Sequence, residues 1–433
     1  MPFRPVDPEI GFTSDVIRDP KRFVGRHDLI ERSIHALNTA SGIIAVYGKR
    51  GVGKSSLMRQ VQQMANGDYL LAYQAGLGHL VPERPRKYYT VYYSSDSAVT
   101  NMTDLIVRLC NDTDPEDGLL RLIPDHGKEL MEFSRSGEQT LGLDLKLIQW
   151  GERGTDSARY ASVIPNDPIQ SFRNFVNSAV DNNNRVWNRR ESLLVLLDEF
   201  DIIREKDGIG SLFKSLSSHK VKFAVCGIGQ DISALIRDHQ SIMRMIERSA
   251  LHVRPMSADE TREVFVTARR LFRNVISFND NVIEMVVEYS EGYPYFAQLL
   301  GKACVDRANR HGTNHITMEI ADEVLHEIRT GEAFPHLEEQ FQRAIRESED
   351  RKLLLTLLAE QDSEQTQYNQ DIGRIVLKQS RSTAQELGIE YIDQLVPRLI
   401  DEKFGPVLVK TADQRGAYEF TDPVFRAYVK LRH

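Results

Sequence analysis

The chain has 433 residues, 41% of them hydrophobic and 27% charged, the balance of a globular protein with room for two to four domains. Its 55 lysines and arginines face 62 aspartates and glutamates, a net charge of −7, which excludes a bulk basic signature of nucleic-acid binding. Cys110, Cys226 and Cys304 lie far apart, with neither zinc spacing nor a disulfide framework, and read as buried thiols in a reducing compartment. "MPFRPVDPEIGF" lacks the apolar core of a signal peptide and no segment reaches transmembrane length, so a cytoplasmic chain with no membrane partner is expected.

After an N-terminal arm over 1–20, the first strong signal is "GIIAVYGKRGVGKSSLMRQVQQMA". Gly48-Lys49-Arg50-Gly51-Val52-Gly53-Lys54-Ser55 fits G-x-x-x-x-G-K-[ST] between an apolar strand and a helix with Leu57, Val61 and Met64 on one face. Glycines let backbone N–H groups converge on phosphates, and the following helix N-terminus adds its partial positive charge. The expected phosphate-binding set is Gly48, Arg50, Gly51, Val52, Gly53, Lys54, Ser55 and Ser56. Lys54 would neutralise the β/γ oxygens, and the Ser55 hydroxyl would ligate Mg²⁺.

"KYYTVYYSS" reads as a strand and "NMTDLIVRLC" as a helix started by Asn101. A stretch of about 112–168 is longer than an α/β nucleotide core needs and reads as an insertion. Within it "TLGLDLKLIQW" alternates like a half-buried strand; it reads first as core padding, with a partner- or DNA-contacting hairpin near Arg153 and Arg159 as the alternative. "ESLLVLLDEFD" then supplies a continuous apolar run ending in Asp198-Glu199, a strand buried on both faces with carboxylates at its C-terminal edge. Asp198 would hold the Mg²⁺ shell and Glu199 would orient or deprotonate the attacking water, while Asp201 reads as a cap or surface acid. "VKFAVCGIGQDI" is a further strand; Gln230 beyond it would sense the γ-phosphate or simply turn the chain. ATP is expected over GTP, because no Asn/Thr-Lys-x-Asp element follows.

"SADETREVF" opens a helical lid with a Ser257–Glu260 capping box, continuing to about 330, and "RTGEAFPH" marks the next boundary. "FQRAIRESEDRKLLLTLLAEQ" reads as one amphipathic helix, and "IEYIDQLVPRLIDEKFG" as another ending at Gly405. "PVLVKTADQRGAYEF" reads as a strand, turn and strand, and "TDPVFRAYVKLRH" as a helix capped by Asp422 with Pro423 at its first position. Helices followed by a hairpin look like a winged helix. Residues 341–433 hold 14 Lys and Arg against 15 Asp and Glu, and the presumed recognition helix carries Glu386, Glu390, Asp393, Asp401 and Glu402. That forfeits phosphate neutralisation, so protein contact or autoinhibition is favoured over DNA.

The order of motifs is similar to a known group. "RFVGRHDLIERSIHAL", 22–37, resembles the F-V-G-R element of AAA+ ATPases of the origin-recognition type and of STAND signalling ATPases, where it packs beside base and ribose. The resemblance implies nucleotide contacts at Val24, Gly25 and Arg26. "DHQSIMRMIERSALHVRPMSADETREVF" resembles the segment that places an arginine finger before the lid, with Arg244 and Arg248 as candidates acting on a neighbouring protomer. "EGYPYFAQLLGKA" resembles the G-x-P lid element, in which Gly292 and Pro294 would approach adenine. No sensor-2 arginine stands where a standard AAA+ lid has one, which points to the STAND side.

The expected fold is α/β: a P-loop core over 21–252, a helical lid over 253–335 and a winged-helix-like module over 336–433. The resemblance implies a slow ATPase switch with ATP/ADP and Mg²⁺ as cofactors, whose nucleotide state controls homo-oligomer assembly or an effector partner, in a signalling or defence setting. A DNA-loading factor of the origin-recognition kind and an ATP-retaining, nearly non-hydrolysing scaffold are the alternatives.

Overall fold

A computed structural model describes residues 3–39, 42–122, 192–205, 221–229, 249–360, 392–410 and 417–432, with 170, 172–174, 176, 180, 190, 213–214, 217, 246 and 374–376 between them. Contacts divide the chain into a sheet unit, His27–Gly48 with Lys54–His252, and a helical unit, Met1–Arg26 with Lys49–Gly53 and Val253–His433.

The sheet unit runs α1 (His27–Asn38), β1 (Ile43–Gly48), α2 (Lys54–Asn66), α3 (Leu70–Gln74), β2 (Tyr88–Ser94), α4 (Met102–Cys110), β3 (Ser192–Asp198), β4 (Val221–Ile228) and β5 (Ala250–His252). Its five strands are all parallel, in the order β2-β3-β4-β1-β5. Leu193–Leu197 are fully enclosed, as a strand covered on both faces requires. Helix α2 buries Leu57, Val61 and Met64, and Asn101 caps α4 by accepting the Asp104 N–H at 3.0 Å. The register sets Ser94 of β2 opposite Asp198 of β3, so the carboxylate lies at the C-terminal edge of the sheet.

Two features of this unit were hidden in the sequence. Lys222 is buried in β4, where its Nζ donates to the carbonyls of Ala36 and, at 3.0 Å, Thr39, at the C-terminal end of α1. Burial, aided by Arg86, pushes its ammonium down to about 8. Leu119, Leu120 and Leu122, within the stretch read as an insertion from about 112, pack into the sheet's core. "TLGLDLKLIQW", Arg153 and Arg159 lie outside the described residues.

The helical unit contains α5 (Ala258–Leu271), β6 (Ser277–Phe278), α6 (Asp280–Ser290), α7 (Pro294–His311), β7 (His315–Ile316) and α8 (Met318–Thr330). Ser257 and Glu260 form the expected capping box at the start of α5. The N-terminal arm is built into these helices. Phe12, with 0% exposure, sits 5.3 Å from the Phe265 ring and 5.7 Å from Phe278, both edge-on. Val6 and Asn309 exchange hydrogen bonds at 2.9 and 2.7 Å, and the Thr13 N–H donates to Gln298 Oε1 at 3.0 Å.

The same unit continues through α9 (Pro335–Ile345), α10 (Glu349–Glu360), β8 (Arg374–Val376), α11 (Ile392–Ile400), β9 (Leu408–Lys410), β10 (Ala417–Phe420) and α12 (Pro423–Arg432). Helices with an antiparallel sheet in the order β8-β10-β9 make a winged-helix-like module. Its hairpin falls where the sequence places it; β8 is an additional strand. The single helix expected over 341–361 is two: Arg346 and Glu347 take left-handed backbone angles of +39° and +60°, and Ser348 restarts the helix by accepting the Arg351 N–H at 3.3 Å. Asp422 caps α12, accepting from the Val424 N–H at 2.9 Å.

Candidate functional site

In the sheet unit, β1 ends at Gly48 and Lys54 is the first residue of α2, followed by Ser55 and Ser56, so the end of the motif coincides with a helix N-terminus whose first N–H groups lack intrahelical partners. Asp198, 5% exposed, closes β3. Its Oδ1 accepts the Glu199 N–H at 2.9 Å and its Oδ2 accepts the Tyr92 hydroxyl at 2.5 Å. Glu199 is exposed, in the left-handed region at φ +52°, with Ser94 Oγ 3.4 Å from its Oε2. Such a backbone costs on the order of 1–3 kcal/mol for a non-glycine residue and turns the chain sharply after the strand. Asp201 Oδ1 accepts the Ile228 N–H at 2.8 Å and ties the end of β4 to the turn after β3.

Cys226 of β4 registers both sides of this edge. Burial first, then the charge of Asp198, hold its thiol well above the usual range, while the positive charge of Lys54 pulls it back down. One buried thiol thus feels both the motif lysine and the strand-end carboxylate.

In the helical unit, residues 49–53 form the crest of the loop. Lys49 Nζ pairs with Glu419 Oε2 of β10 at 3.3 Å, and Arg50 Nε lies 3.9 Å from Asp422 Oδ2 at the head of α12. Gly51, at φ +76°, carries no side chain where one would meet Val424 Cγ2 at 2.8 Å. Next to it, Gly53 faces Pro294 Cγ, 3.7 Å from where a Cβ would sit. The crest therefore rests on the N-terminal ends of α7 and α12 and on the strand before α12. Helix α12 is anchored by the buried Arg426, which pairs with Glu291 at 2.7 Å, and by Arg432, which pairs with Glu338 at 2.9 Å.

The F-V-G-R element meets the same crest. Val24 is half-buried, and Gly25 and Arg26 both have left-handed backbones at +65° and +60°. The buried Arg26 side chain donates to the Val52 carbonyl at 2.9 Å and to the Arg254 carbonyl, and its N–H donates to Glu260 Oε1 at 2.6 Å. Burial opposes ionisation of Glu260, but hydrogen bonds from Arg26 and Ser257 outweigh it and hold the carboxyl below its usual range. Arg26 is thus a clamp on the loop backbone. Gly292, at φ +78°, is demanded by the lid itself, because a Cβ there would come within 2.3 Å of the Met256 carbonyl. Pro294 opens α7.

Arg244, Arg248 and Gln230 lie outside the described residues. Tyr92 was missed by sequence reasoning; the only available signal was a tyrosine on the strand paired with β3. Among the described residues no group of three or more His, Cys, Asp or Glu side chains gathers to cage a metal. Ser55 and Asp198 carry hard oxygens of the kind that fits Mg²⁺, which keeps most of its waters and takes further ligands from phosphate oxygens. Among the described residues no helix is long and apolar enough to cross a membrane.

No protein-family model matches the chain, and no curated protein matches its sequence. Among solved structures, it is similar to the Walker-type ATPase of Pyrococcus abyssi at 16% identity and a TM-score of 0.50, over 96% of this chain and 99% of that one. It is also similar to the Aeropyrum pernix ORC2 protein, at 14% identity and a TM-score of 0.45 over 100% and 98% of the two chains. For the Aeropyrum pernix ORC1 protein in complex with DNA the values are 12% and 0.43, over 99% and 96%. The parallel sheet, its loop-to-helix turn and the near-complete coverage of the Pyrococcus chain give this protein the fold of a Walker-type P-loop ATPase.

Proposed function

We propose that the chain is an ATP-binding, slowly hydrolysing regulatory switch whose C-terminal module competes with nucleotide phosphates for the crest of the loop. The observation that carries this reading is the seating of Glu419 and Asp422 on Lys49 and Arg50. Both carboxylates present anionic oxygens to basic residues of a phosphate-binding motif. A triphosphate brings more negative charge to the same loop, so binding and docking oppose each other, and a ligand that prefers the undocked state shifts the population toward it. The freed module is then the surface offered to another copy of the chain or to an effector.

Residue by residue, Lys54 neutralises the β/γ oxygens, the loop backbone at 48–53 cradles them, and Ser55 and Asp198 hold the hydrated metal. Arg26 keeps the loop in shape through the Val52 carbonyl. Mg²⁺, when bound with the nucleotide, neutralises charge developing on the phosphate oxygens. Glu199, exposed beyond Asp198, orients or deprotonates the attacking water. The contact between Val24–Arg26 and the base, the approach of Gly292 and Pro294 to adenine, and an arginine finger from Arg244 or Arg248 belong to the same proposal.

The experiment is size measurement by light scattering with ADP and with a slowly hydrolysed ATP analogue plus Mg²⁺. A nucleotide-dependent change in mass or radius is expected. Bound nucleotide with identical size and radius in both states would refute the switch and leave a nucleotide-retaining scaffold.

A further inference from the structure

A polar chain, buried at Tyr92 and half-buried at Arg59 and Asp117, runs through the sheet unit from Asp198. The Tyr92 hydroxyl donates to Asp198 Oδ2 at 2.5 Å, and Tyr92 itself is only 6% exposed. The Arg59 guanidinium, from the middle of α2, lies over the Tyr92 ring with its carbon 3.4 Å from the centroid. Arg59 in turn pairs with Asp117 at 2.6 Å, and Gln62 donates to the other Asp117 oxygen at 2.7 Å. Asp117 closes the arrangement by accepting the Tyr92 backbone N–H through its own carbonyl at 3.1 Å. Both ends of the tyrosine are therefore fixed, and so is its ring.

An aromatic residue on β2 needs none of this to fill the core: phenylalanine would fill the same volume. The hydroxyl is explained by its acceptor. With the Glu199 N–H on Oδ1 and Tyr92 on Oδ2, the Asp198 carboxylate is held at both oxygens before any ligand arrives.

We infer that Tyr92 is a positioning residue for the metal-side carboxylate, its hydroxyl fixing Asp198 in the orientation that receives the hydrated Mg²⁺ of a bound nucleoside triphosphate, with Arg59 and Asp117 fixing the tyrosine. The inference rests on the nucleotide-binding reading above. It makes the metal contribution to binding, and not the phosphate grip of the loop, the quantity that Tyr92 governs. Outer partners of metal ligands act in this way, and their loss typically weakens metal affinity about tenfold or more.

The test uses the full chain and a fluorescent N-methylanthraniloyl ATP, with affinity measured in excess Mg²⁺ and in EDTA. For wild type the ratio of the two affinities reports the metal contribution. Tyr92→Phe is expected to reduce that ratio about tenfold while leaving the EDTA affinity unchanged. Arg59→Met, which keeps the aliphatic stem and removes the clamp, should reduce it in the same direction by a smaller factor, and serves as the second readout if Tyr92→Phe fails to fold. A purely structural hydroxyl would lower the melting temperature and leave the ratio untouched. An unchanged ratio in either folded variant overturns the inference alone; a wild-type chain that binds no nucleotide overturns it together with the reading beneath it.

Discussion

Two sets of carboxylates, one in each unit, are held in opposite ways. Asp198 is buried at the end of a fully enclosed strand, with a backbone N–H on one oxygen and a tyrosine hydroxyl on the other. Glu419 and Asp422 sit at the rim of the C-terminal module and reach Lys49 and Arg50 as ion pairs at 3.3 and 3.9 Å, one of them largely open to solvent on the arginine side. A carboxylate fixed by hydrogen bonds in a rigid sheet is permanent equipment. In the proposed switch, ion pairs whose lysine and arginine a competing anion can attract are a removable stop, and the pair on the exposed Arg50 contributes only about 0–1 kcal/mol. On the proposed function, the contrast is that of machine and brake.

Lys54→Ala should break the fixed side most severely. Truncating one member of a close charge pair costs several kcal/mol, so nucleotide affinity should fall by about 4 kcal/mol, on the order of a thousandfold, read by fluorescent-nucleotide titration. Glu199→Gln sharpens the same side by separating grip from chemistry. Binding should persist while phosphate release drops on the order of a hundred- to thousandfold, the usual contribution of a positioned base; normal turnover refutes the assigned role. Phe12→Ala touches neither carboxylate set. It should cost about 3 kcal/mol of stability by leaving a cavity among Phe265, Phe272 and Phe278, seen as a lowered urea midpoint with the fluorescent-nucleotide affinity retained below the transition. The smallest effect is on the removable side. Glu419→Gln with Asp422→Asn should tighten ATP binding by about 1 kcal/mol, roughly fivefold, and weaker binding would contradict the brake.

Much of the fixed side was legible in the sequence because its signals are local. The glycine spacing of 48–55, the apolar run of 193–197 and the acid pair after it each carry their meaning within a dozen residues, and strand, loop and helix fall where the pattern puts them. The capping box at Ser257–Glu260 and the proline start of α12 are equally local. What stayed hidden depends on partners far along the chain. Nothing near Tyr92 announces Asp198, which lies 106 positions later, and nothing near Val6 announces Asn309, 303 positions away. Lys222 inside an apolar strand looks like an error until the end of α1 supplies its carbonyl acceptors. The helix break at Arg346–Glu347 was missed because an amphipathic period continues across it, and only the Ser348 cap marks the restart.

Hydrogen exchange across residues 417–425, with and without a slowly hydrolysed ATP analogue and Mg²⁺, tests the competition between carboxylates and phosphates most directly. The account predicts faster exchange in β10 and the first turn of α12 once nucleotide is bound, as Glu419 and Asp422 leave Lys49 and Arg50. Unchanged or slower exchange there, with occupancy of the loop verified in the same sample, would contradict it.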